Sequence, residues 1–442
     1  MRALGHNGGM DLTPFARRRR DLMQQMGGGV AIIPTSPSRP RNRDIHFPYR
    51  PDSDFYYLTH FPEPEAVAVL VPGRAHGEYL LFCREKNAEK ETWEGRRAGL
   101  KGAREIYGAD DAFPIDDIDE ILPGLLENRE KVFYSMGRDA DFDNHLMGWV
   151  NEVRAKARNG VHAPGEFVDL NHMLHEMRLF KSADEIKLMR RAAKISSAAH
   201  RRAMQTCRPG RMEYEIEAEL WYEFKKGGSQ FPAYPAIVGG GANSCILHYN
   251  ENNAELKSGD MLLIDAGAEF DGYAADITRS FPVNGKFTAE QRDVYEVVLA
   301  AQRAAIELVQ PGRHWNEPHD AAVRILTDGL VQLKLLKGNV EAHIEDGSYK
   351  RFYMHRTGHW LGMDVHDVGD YKVHEEWRLL EPGMVLTVEP GLYIGEADDI
   401  PGGFHDIGIR IEDDVLVTRD GHDVLSKDAP KEIGEIELLM KG

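Results

Sequence analysis

Two acidic side chains in an otherwise apolar segment are the first candidates for chemistry. Asp265 follows an apolar run, and Asp276 comes after an Asp271–Gly272 pair that is typical of a two-residue hairpin turn. With that turn, Asp265 faces Thr278 across the ladder, and Asp276 is its diagonal neighbour at roughly 7–8 Å on the same sheet face. Two carboxylates on one apolar face repel each other. They therefore indicate a bound cation, a pair of side chains that both point to solvent, or an ion pair with Arg279. Alternation argues against the ion pair, because it places Arg279 on the opposite face of the strand.

Three histidines lie close together further along the chain. His355, His359 and His366 fall in one short segment among glycines and apolar residues. A single histidine in such a setting is usually a structural residue. Three of them are harder to explain in that way, and imidazole is both a common metal ligand and a proton carrier near neutral pH.

Two glutamates and an arginine on predicted strands complete the candidate set. Glu389 ends an apolar run before Pro390–Gly391, and a glutamate buried there needs a compensating charge. Arg410 and Glu412 alternate with apolar residues, so both are predicted to lie on the same strand face. The odd, sparse set of cysteines (Cys83, Cys207 and Cys245) has no CxxC spacing, which argues against a structural zinc site and a disulfide scaffold.

The candidate ligands together favour hard or borderline metal ions. Four carboxylates that converge with one histidine would carry a charge of about −4, which two divalent cations would neutralise. A ligand set of oxygens with a single imidazole favours Mn²⁺ first and then Co²⁺ or Zn²⁺.

Predicted strands and a long helix must bring these distant residues together. Ser182 and Glu185 form a predicted capping box for a helix from Ile186 to about Cys207. Apolar runs predict four strands that carry or flank the candidates, at Met261–Gly267, Tyr273–Phe281, Val385–Val388 and Gly408–Val417.

The first part of the chain has its own pattern. It shows short predicted strands at Ala66–Val71, Tyr79–Phe82 and Lys131–Tyr134, and an amphipathic helix at Ile115–Arg129 that we expect to break near Pro123. Strands that alternate with helices predict an α/β domain. The predicted organisation is a disordered tail (1–11), an N-terminal α/β domain (12–181) and a C-terminal domain (182–442).

Composition excludes several classes of protein. The 442 residues carry a net charge of −18, which argues against binding to nucleic acid or to an anionic membrane surface. No apolar run reaches the roughly 18 residues of a membrane helix, and the start of the chain lacks a signal peptide. With the sparse cysteines, these features predict a soluble protein of the reducing cytoplasm.

The order of the candidate ligands resembles that of a known superfamily. Asp265, Asp276, His359, Glu389 and Glu412 follow the order of the dinuclear centre in the pita-bread metallopeptidases, which include methionine aminopeptidase, prolidase, aminopeptidase P and the metal-free creatinase. The chain is most similar to bacterial aminopeptidase P. The segments that carry this similarity are His355–Gly369, Glu381–Ile394, Gly408–Val417, Tyr49–Thr59 and Trp93–Arg97.

This resemblance covers essentially residues 12–440 and implies an α+β fold with two domains. An N-terminal α/β domain, which serves oligomerisation and limits substrate size, precedes a pita-bread catalytic domain. The resemblance also implies that Asp276 and Glu412 bridge two metal ions. Asp265 then belongs to one ion, and His359 and Glu389 belong to the other.

The resemblance implies further roles around the metal ions. Glu389 acts as the base for the attacking water and carries a proton to the leaving nitrogen. His366 stabilises the tetrahedral oxyanion or holds the scissile carbonyl, and His248 orients the substrate. The remaining implied contacts are His355 in the proline-side pocket, Arg410 beside a metal carboxylate, Tyr393 at the bridging carboxylates, and Trp93 over the active site of a neighbouring subunit.

The implied activity is that of a metal-dependent exopeptidase. It releases the N-terminal residue from small peptides with proline in the second position, by attack of a metal-bridging hydroxide. The resemblance also implies a cytoplasmic homo-oligomer, either a dimer or a tetramer. Prolidase, which cleaves Xaa-Pro dipeptides with the same ligands, is the nearest alternative. Methionine aminopeptidase fits less well because about 170 residues precede the catalytic domain. A non-catalytic peptide-docking relative is a third reading, against which the intact ligand set argues.

Overall fold

The computed structural model describes residues 12–441, and within them the chain forms two compact units. The first unit ends at Met177 and the second begins at Arg178. The sequence predicts this boundary four residues later, between 181 and 182. The predicted tail of residues 1–11 lies outside the described residues.

A six-stranded mixed sheet forms the centre of the first unit. Its order is β6-β5-β4-β1-β7-β8, and β2 pairs with β3 in a separate exposed hairpin. The strands are β1 (Val30–Pro34), β2 (Pro40–Asn42), β3 (Ile45–His46), β4 (Val67–Leu70), β5 (Tyr79–Cys83), β6 (Asp111–Pro114), β7 (Lys131–Phe133) and β8 (Glu166–Val168). All three strands predicted in this part of the chain are present.

Helices flank this sheet along the chain. They are α1 (Thr13–Met26), α2 (Ser53–Thr59), α3 (Ala88–Glu94), α4 (Gly99–Glu105), α5 (Ile118–Leu126), α6 (Ala140–Ala155) and α7 (Asn171–Leu179). The expected break near Pro123 is wrong, because α5 continues through Pro123 to Leu126. Proline removes one N–H donor, but its restricted φ is compatible with a helix.

The second unit combines long helices with short antiparallel sheets. Its helices are α8 (Ala183–Thr206), α9 (Glu213–Gly227), α10 (Ala289–Glu307), α11 (Glu317–Gln332), α12 (Val340–Asp346) and α13 (Ile433–Met440). Its first strands are β9 (Phe231–Pro232), β10 (Ile237–Gly240), β11 (Met261–Asp265), β12 (Ala268–Phe270), β13 (Tyr273–Ala274) and β14 (Thr278–Pro282). Then follow β15 (Lys372–Val373), β16 (Glu376–Trp377), β17 (Val385–Val388), β18 (Gly391–Ile394), β19 (Ile407–Arg410), β20 (Asp413–Thr418) and β21 (Gly421–Val424).

The predicted capping interaction is present at the start of α8. The backbone N–H of Ser182 donates to the Glu185 carboxylate at 2.9 Å, and the Ser182 hydroxyl donates to the same oxygen at 2.8 Å. The carboxylate therefore satisfies a backbone donor that the helix itself cannot pair.

The predicted hairpin register around the two aspartates is confirmed. Asp265 pairs with Thr278, and Phe270 pairs with Tyr273 across a turn whose residues Asp271 and Gly272 both have positive φ (52° and 81°). The two strands are shorter than predicted, because the ladder opens between β11 and β12. At that opening a Cβ on Gly267 would lie 1.6 Å from the carbonyl oxygen of Ala275, so the close approach of the two backbones requires glycine.

A second antiparallel pair is interrupted in the same way. Val388 pairs with Asp413 before the break, and Gly391 pairs with Arg410 after it, in one unchanged register. The predicted strand Gly408–Val417 is therefore two strands, β19 and β20, which belong to different sheets. The unchanged register places Glu389 opposite Glu412 at the interruption, where cross-strand Cβ atoms are typically about 4.5–5.5 Å apart.

Arg279 lies on the face of β14 that points away from the two aspartates. Its fully buried guanidinium donates to Asp413 at 2.8 Å and to the carbonyl oxygen of Ala429 at 2.9 Å. The alternation argument that Arg279 does not pair with Asp265 or Asp276 is thus confirmed.

We expect Arg279→Met to destabilise the protein strongly, because it leaves Asp413 buried with one cation fewer. Loss of one partner of a buried ion pair typically costs about 3–5 kcal/mol. A thermal melt should therefore show a fall in Tm of about 10 °C. The matched control is Arg303→Met, which breaks the exposed pair with Glu432 and should cost less than about 1 kcal/mol. Equal Tm values for the two variants would contradict the prediction.

Two further features of the described residues bear on the sequence predictions. No helix in residues 12–441 is both long enough and apolar enough to cross a lipid bilayer. All three cysteines are free thiols, and Cys83 and Cys207 are buried.

Candidate metal centre

The two predicted aspartates meet at the end of the first strand pair. Asp265 is the last residue of β11, and Asp276 precedes β14 by two residues. The Tyr234 hydroxyl donates to Asp265 Oδ1 at 2.6 Å and also to Asp276 Oδ1. Burial, and the nearby carboxylates, raise the pKa of Tyr234 well above its ordinary value, so the hydroxyl remains a proton donor. One tyrosine therefore orients both aspartates.

The two predicted glutamates meet at the interruption of the second strand pair. Glu412 accepts a hydrogen bond from the Thr278 hydroxyl at 2.7 Å, and its backbone N–H donates to the Thr278 carbonyl at 3.1 Å. Glu389 Oε1 lies 3.3 Å from the Thr387 hydroxyl. Because Thr278 pairs with Asp265, it also connects the second strand pair to the first.

His359 is positioned by a segment that runs beside β17. Its backbone carbonyl accepts from Thr387 N at 2.9 Å, and its backbone N–H donates to the Thr387 hydroxyl at 3.1 Å. A Cβ on Gly358 would lie 2.0 Å from the Thr387 carbonyl oxygen, so only glycine allows this approach. The His359 ring contacts the Trp360 carbonyl through Nδ1 at 2.9 Å, which directs Nε2 toward the carboxylates.

The histidine and the carboxylates converge at one point. His359 Nε2 lies 3.4 Å from Asp276 Oδ2 and 3.6 Å from Glu389 Oε1. Ligand atoms of Asp276, His359 and Glu412 all lie within 4.8 Å of one another, which is the spacing of groups that can hold one metal ion. Asp265 joins this group through the shared Tyr234 hydroxyl. The structure therefore brings all five predicted ligands together.

Because this negative charge is buried, the pKa values of both glutamates are raised. Burial raises the pKa of Glu389 to about 7 against the opposing effect of His359. For Glu412, burial and the charges of Asp276 and Glu389 raise the pKa well above its usual range. Carboxylates held so close together need protons or cations to neutralise them.

The pKa values of Asp276 and His359 show the same need for positive charge. Burial raises the pKa of Asp276, but the hydrogen bond with His359 outweighs it and the pKa is lowered. Conversely, burial lowers the pKa of His359, but Asp276 and Glu389 outweigh it and raise the pKa to about 9. A donor set of carboxylate oxygens and one imidazole fits divalent cations of the manganese, cobalt and zinc type.

Arg410, Tyr393 and His355 form a hydrogen-bonded chain at one side of this cluster. Arg410 Nη2 donates to Asp265 Oδ2 at 2.6 Å, and its Nη1 donates to the Tyr393 hydroxyl at 2.9 Å. His355 Nε2 lies 2.8 Å from that hydroxyl, and its Nδ1 lies 2.7 Å from the Arg356 carbonyl oxygen. Burial lowers the pKa of His355 to about 3, so it is a neutral ring.

His366 and His248 lie near the cluster but are more exposed. The His366 ring packs edge to face against His359, with centroids 4.3 Å apart. Burial, and then the charges of His359 and His248, lower the pKa of His366. His248 is an exposed residue of a loop, and it also lowers the pKa of His355.

Trp93 is the one predicted site residue that belongs to the first unit. Its side chain, on α3, is 85% exposed. A large aromatic residue this exposed is not part of the domain core, and such residues are common at protein–protein contacts.

Two residues that contact the cluster were missed by the sequence analysis. Tyr234 stands between two prolines, and nothing in its spacing indicates a partner in two distant aspartates. Asp414 accepts a hydrogen bond from the backbone N–H of Asp276 at 3.1 Å. The pair Asp413–Asp414 at the start of an apolar strand was the available clue, because alternation places the two carboxylates on opposite faces.

Comparison with protein-family models divides the chain as the fold does. The model of metallopeptidase family M24 matches residues 187–419. The model of the aminopeptidase P N-terminal domain matches residues 15–134.

Two curated relatives are similar over nearly their whole length. The Xaa-Pro aminopeptidase of Escherichia coli (strain K12) is 45% identical, with 96% of this chain and 97% of the relative covered. Xaa-Pro aminopeptidase 3 of Homo sapiens is 34% identical, with 98% of this chain and 86% of the relative covered.

Solved structures show the same similarity. Aminopeptidase PepP of Pseudomonas aeruginosa superposes with a TM-score of 0.97 at 58% identity, with 98% of each chain covered. A variant of Escherichia coli aminopeptidase P in complex with substrate superposes with a TM-score of 0.95 at 44% identity, with 98% of this chain and 99% of that chain covered.

Proposed function

This chain belongs to metallopeptidase family M24 and carries an aminopeptidase P N-terminal domain, and from this premise we propose how its side chains serve the reaction. The chain is an enzyme that removes the N-terminal residue from peptides whose second residue is proline. The observation that carries this assignment is the convergence of Asp276, His359 and Glu412 on one point.

The proposed centre holds two divalent cations, with Mn²⁺ as the first candidate. Asp276 and Glu412 would serve both ions. The contacts of Asp276 support this, because it reaches the Asp265 side of the cluster through Tyr234 and the His359 side directly. Asp265 would then hold one ion, and His359 and Glu389 would hold the other. The oxygen-rich donor set supports Mn²⁺ over Zn²⁺.

Bound cations of this kind lower the pKa of water and polarise a carbonyl oxygen, which is the chemistry needed for peptide hydrolysis. Glu389 is proposed to accept the proton of the attacking water and to deliver it to the leaving proline nitrogen. Its position supports this role, because each carboxylate oxygen lies near a histidine: Oε1 is 3.6 Å from His359 Nε2, and Oε2 is 3.9 Å from His355 Nδ1. A group that gives and takes protons works best with a pKa near the working pH.

The histidines around the cluster are proposed to bind and orient the peptide. His366 is proposed to donate to the oxyanion, and its lowered pKa keeps the ring neutral with one N–H available. His248 is proposed to orient the substrate, and His355 with Tyr393 to border the proline side. The X–Pro bond offers no N–H for recognition, so these side chains must contact the scissile carbonyl and the proline ring of the substrate.

Arg410 is proposed to brace the metal carboxylates. It donates to Asp265 while its own charge is buried, and it also contacts the Thr278 hydroxyl at 3.1 Å. This arrangement fixes one ligand oxygen of Asp265 and leaves the other to Tyr234.

The quaternary structure and the compartment are also proposals. The exposed Trp93 supports a homo-oligomer, dimeric or tetrameric, in which this ring covers a neighbouring subunit's active site and limits peptide length. The three free thiols, two of them buried, support a location in the reducing cytoplasm.

A paired peptide assay tests the activity. After chelation and reconstitution with Mn²⁺, we expect an Xaa-Pro-Yaa tripeptide to be cleaved with a kcat/KM at least about tenfold above that of the Xaa-Pro dipeptide. The product to detect is the free first residue. An Xaa-Ala-Yaa tripeptide is the matched control and should be a poor substrate.

The other outcomes of this assay discriminate between the alternatives. Cleavage confined to the dipeptide would indicate a prolidase with the same metal chemistry. No cleavage of any peptide by the reconstituted protein would contradict the hydrolase assignment and favour the docking role.

A further inference from the structure

Glu213 is a buried carboxylate outside the metal centre, and the described part of the chain places no cationic side chain beside it. It is the first residue of α9, its side chain is fully buried, and no lysine, arginine or histidine pairs with it among residues 12–441. Four donors surround it instead. They are Gly240 N at 2.8 Å, Asn243 Nδ2 at 3.1 Å, Tyr249 Oη at 2.7 Å and Ala254 N at 2.8 Å.

Three of the four donors come from one loop, and the fourth is the residue just before it. Residues 241–254 follow β10, and the donors lie immediately before the loop, within it and at its end. A carboxylate without a cation is tolerated in a protein interior only when hydrogen bonds replace its hydration. The four hydrogen bonds therefore stabilise the buried carboxylate of Glu213 and hold the loop in the conformation that makes them.

A second connection from the same face of α9 supports this conformation. Glu217 lies one turn after Glu213, and its carboxylate accepts from Asn252 Nδ2 at 3.0 Å. Asn252 also accepts from Val238 N at 3.0 Å and donates to the Ala236 carbonyl at 2.9 Å. Asn252 is buried and has a φ of 47°, which asparagine tolerates better than most residues do.

The centre of this loop reaches the metal site. Tyr249, which donates to Glu213, packs in an apolar cluster with Leu263 of β11 and with Tyr393, whose hydroxyl contacts Arg410 and His355. His248 directly precedes Tyr249 in this loop. The side chain of Tyr249 thus fixes the backbone from which the exposed His248 extends.

We propose that Glu213 is a positioning residue that, through the Tyr249 hydroxyl, holds the loop 241–254 so that His248 stays beside the metal centre. This inference rests on the proposed role of His248 in orienting the substrate. Glu213 itself contacts neither the five ligands nor the histidines, so its effect must pass through the loop.

The test is a double-mutant cycle between Tyr249→Phe and His248→Ala in the manganese-loaded enzyme. Tyr249→Phe removes one hydrogen bond to Glu213 and keeps the ring in its apolar cluster. We expect kcat/KM for an Xaa-Pro-Yaa tripeptide to fall about tenfold, mainly through a higher KM, with unchanged metal content. In the His248→Ala background the same change should have little further effect, because the positioned ring is already absent.

Two more variants complete the design. Tyr295→Phe is the matched control, since it removes a buried hydroxyl that donates to the Lys431 carbonyl at 2.8 Å in another part of the unit, and we expect unchanged kcat/KM. Glu213→Gln places an amide N–H₂ against backbone and side-chain donors. Glu213→Gln should lower kcat/KM more than Tyr249→Phe does, and again only when His248 is present.

Each result either supports or overturns the inference. A Tyr249→Phe effect that persists unchanged in the His248→Ala background would overturn it, as would loss of metal from Tyr249→Phe. If His248→Ala lowers kcat/KM and Tyr249→Phe does not, the positioning role fails while the proposed function of His248 stands. If His248→Ala has no effect, the proposed function of His248 fails and the positioning role fails with it.

Discussion

Asp276→Asn is expected to lose both metal ions and, with them, nearly all activity. Asp276 Oδ1 accepts from Tyr234 on the Asp265 side of the cluster, and Oδ2 lies 3.4 Å from His359 on the other side. Asparagine keeps the shape but supplies one neutral oxygen in place of a charged carboxylate. Because the residue is proposed to serve both ions, neither site keeps a full ligand set. We expect kcat to fall by more than about 10³-fold. This loss exceeds the ten- to hundredfold loss of activity that is typical when a residue hydrogen-bonded to a metal ligand is replaced.

Metal content measured by elemental analysis after dialysis tests this prediction directly. The wild-type enzyme should hold two ions per chain, and the variant close to none. Circular dichroism should show retained structure, because the amide can still accept from Tyr234. Asp399→Asn, which weakens an exposed pair with Arg351, is the matched control and should leave metal and kcat unchanged. Two ions retained in Asp276→Asn would refute the bridging assignment.

His366→Ala is expected to collapse turnover while both ions stay bound. The ring packs against His359 at a centroid distance of 4.3 Å, yet it is not one of the five converging ligands. As a neutral donor it is proposed to act on the charge that develops on the scissile carbonyl. Removing one such donor typically lowers kcat by about 10²–10³-fold, with a smaller change in KM.

The combination of metal analysis and kinetics separates this role from that of a ligand. We expect a metal content equal to that of wild type together with the loss in kcat. His343→Ala removes a ring on α12 that is hydrogen-bonded to the Ser348 hydroxyl, and this control should behave like wild type. Near-normal turnover of His366→Ala would remove this residue from the mechanism. Loss of an ion would instead make it a ligand.

Patterns that act over short distances along the chain predict well here. The Asp271–Gly272 turn determines the ladder that places Asp265 opposite Thr278, since a two-residue turn admits one register. The capping pair at Ser182 and the strand Val385–Val388 likewise follow from neighbouring residues alone. Local geometry and alternation suffice for these elements.

Expectations that depend on distant backbones were less accurate. Both antiparallel strand pairs that carry ligands are interrupted. The interruption lies at Gly267 in the pair with the aspartates and beside Glu412 in the pair with the glutamates. Each interruption arises where one backbone approaches another or changes sheet, so no local pattern marks it.

The sequence by itself determined the types and order of the reactive side chains, the hairpin that pairs the aspartates and the family whose ligand order they share. Only the tertiary structure decided that residues from Asp265 to Glu412 meet within one cluster, and that Tyr234, Thr278 and Arg410 orient them. The physical reason lies in burial. Carboxylates this close are tolerated only where donors from distant segments and cations offset their charge, and those donors are brought together by packing of the whole unit.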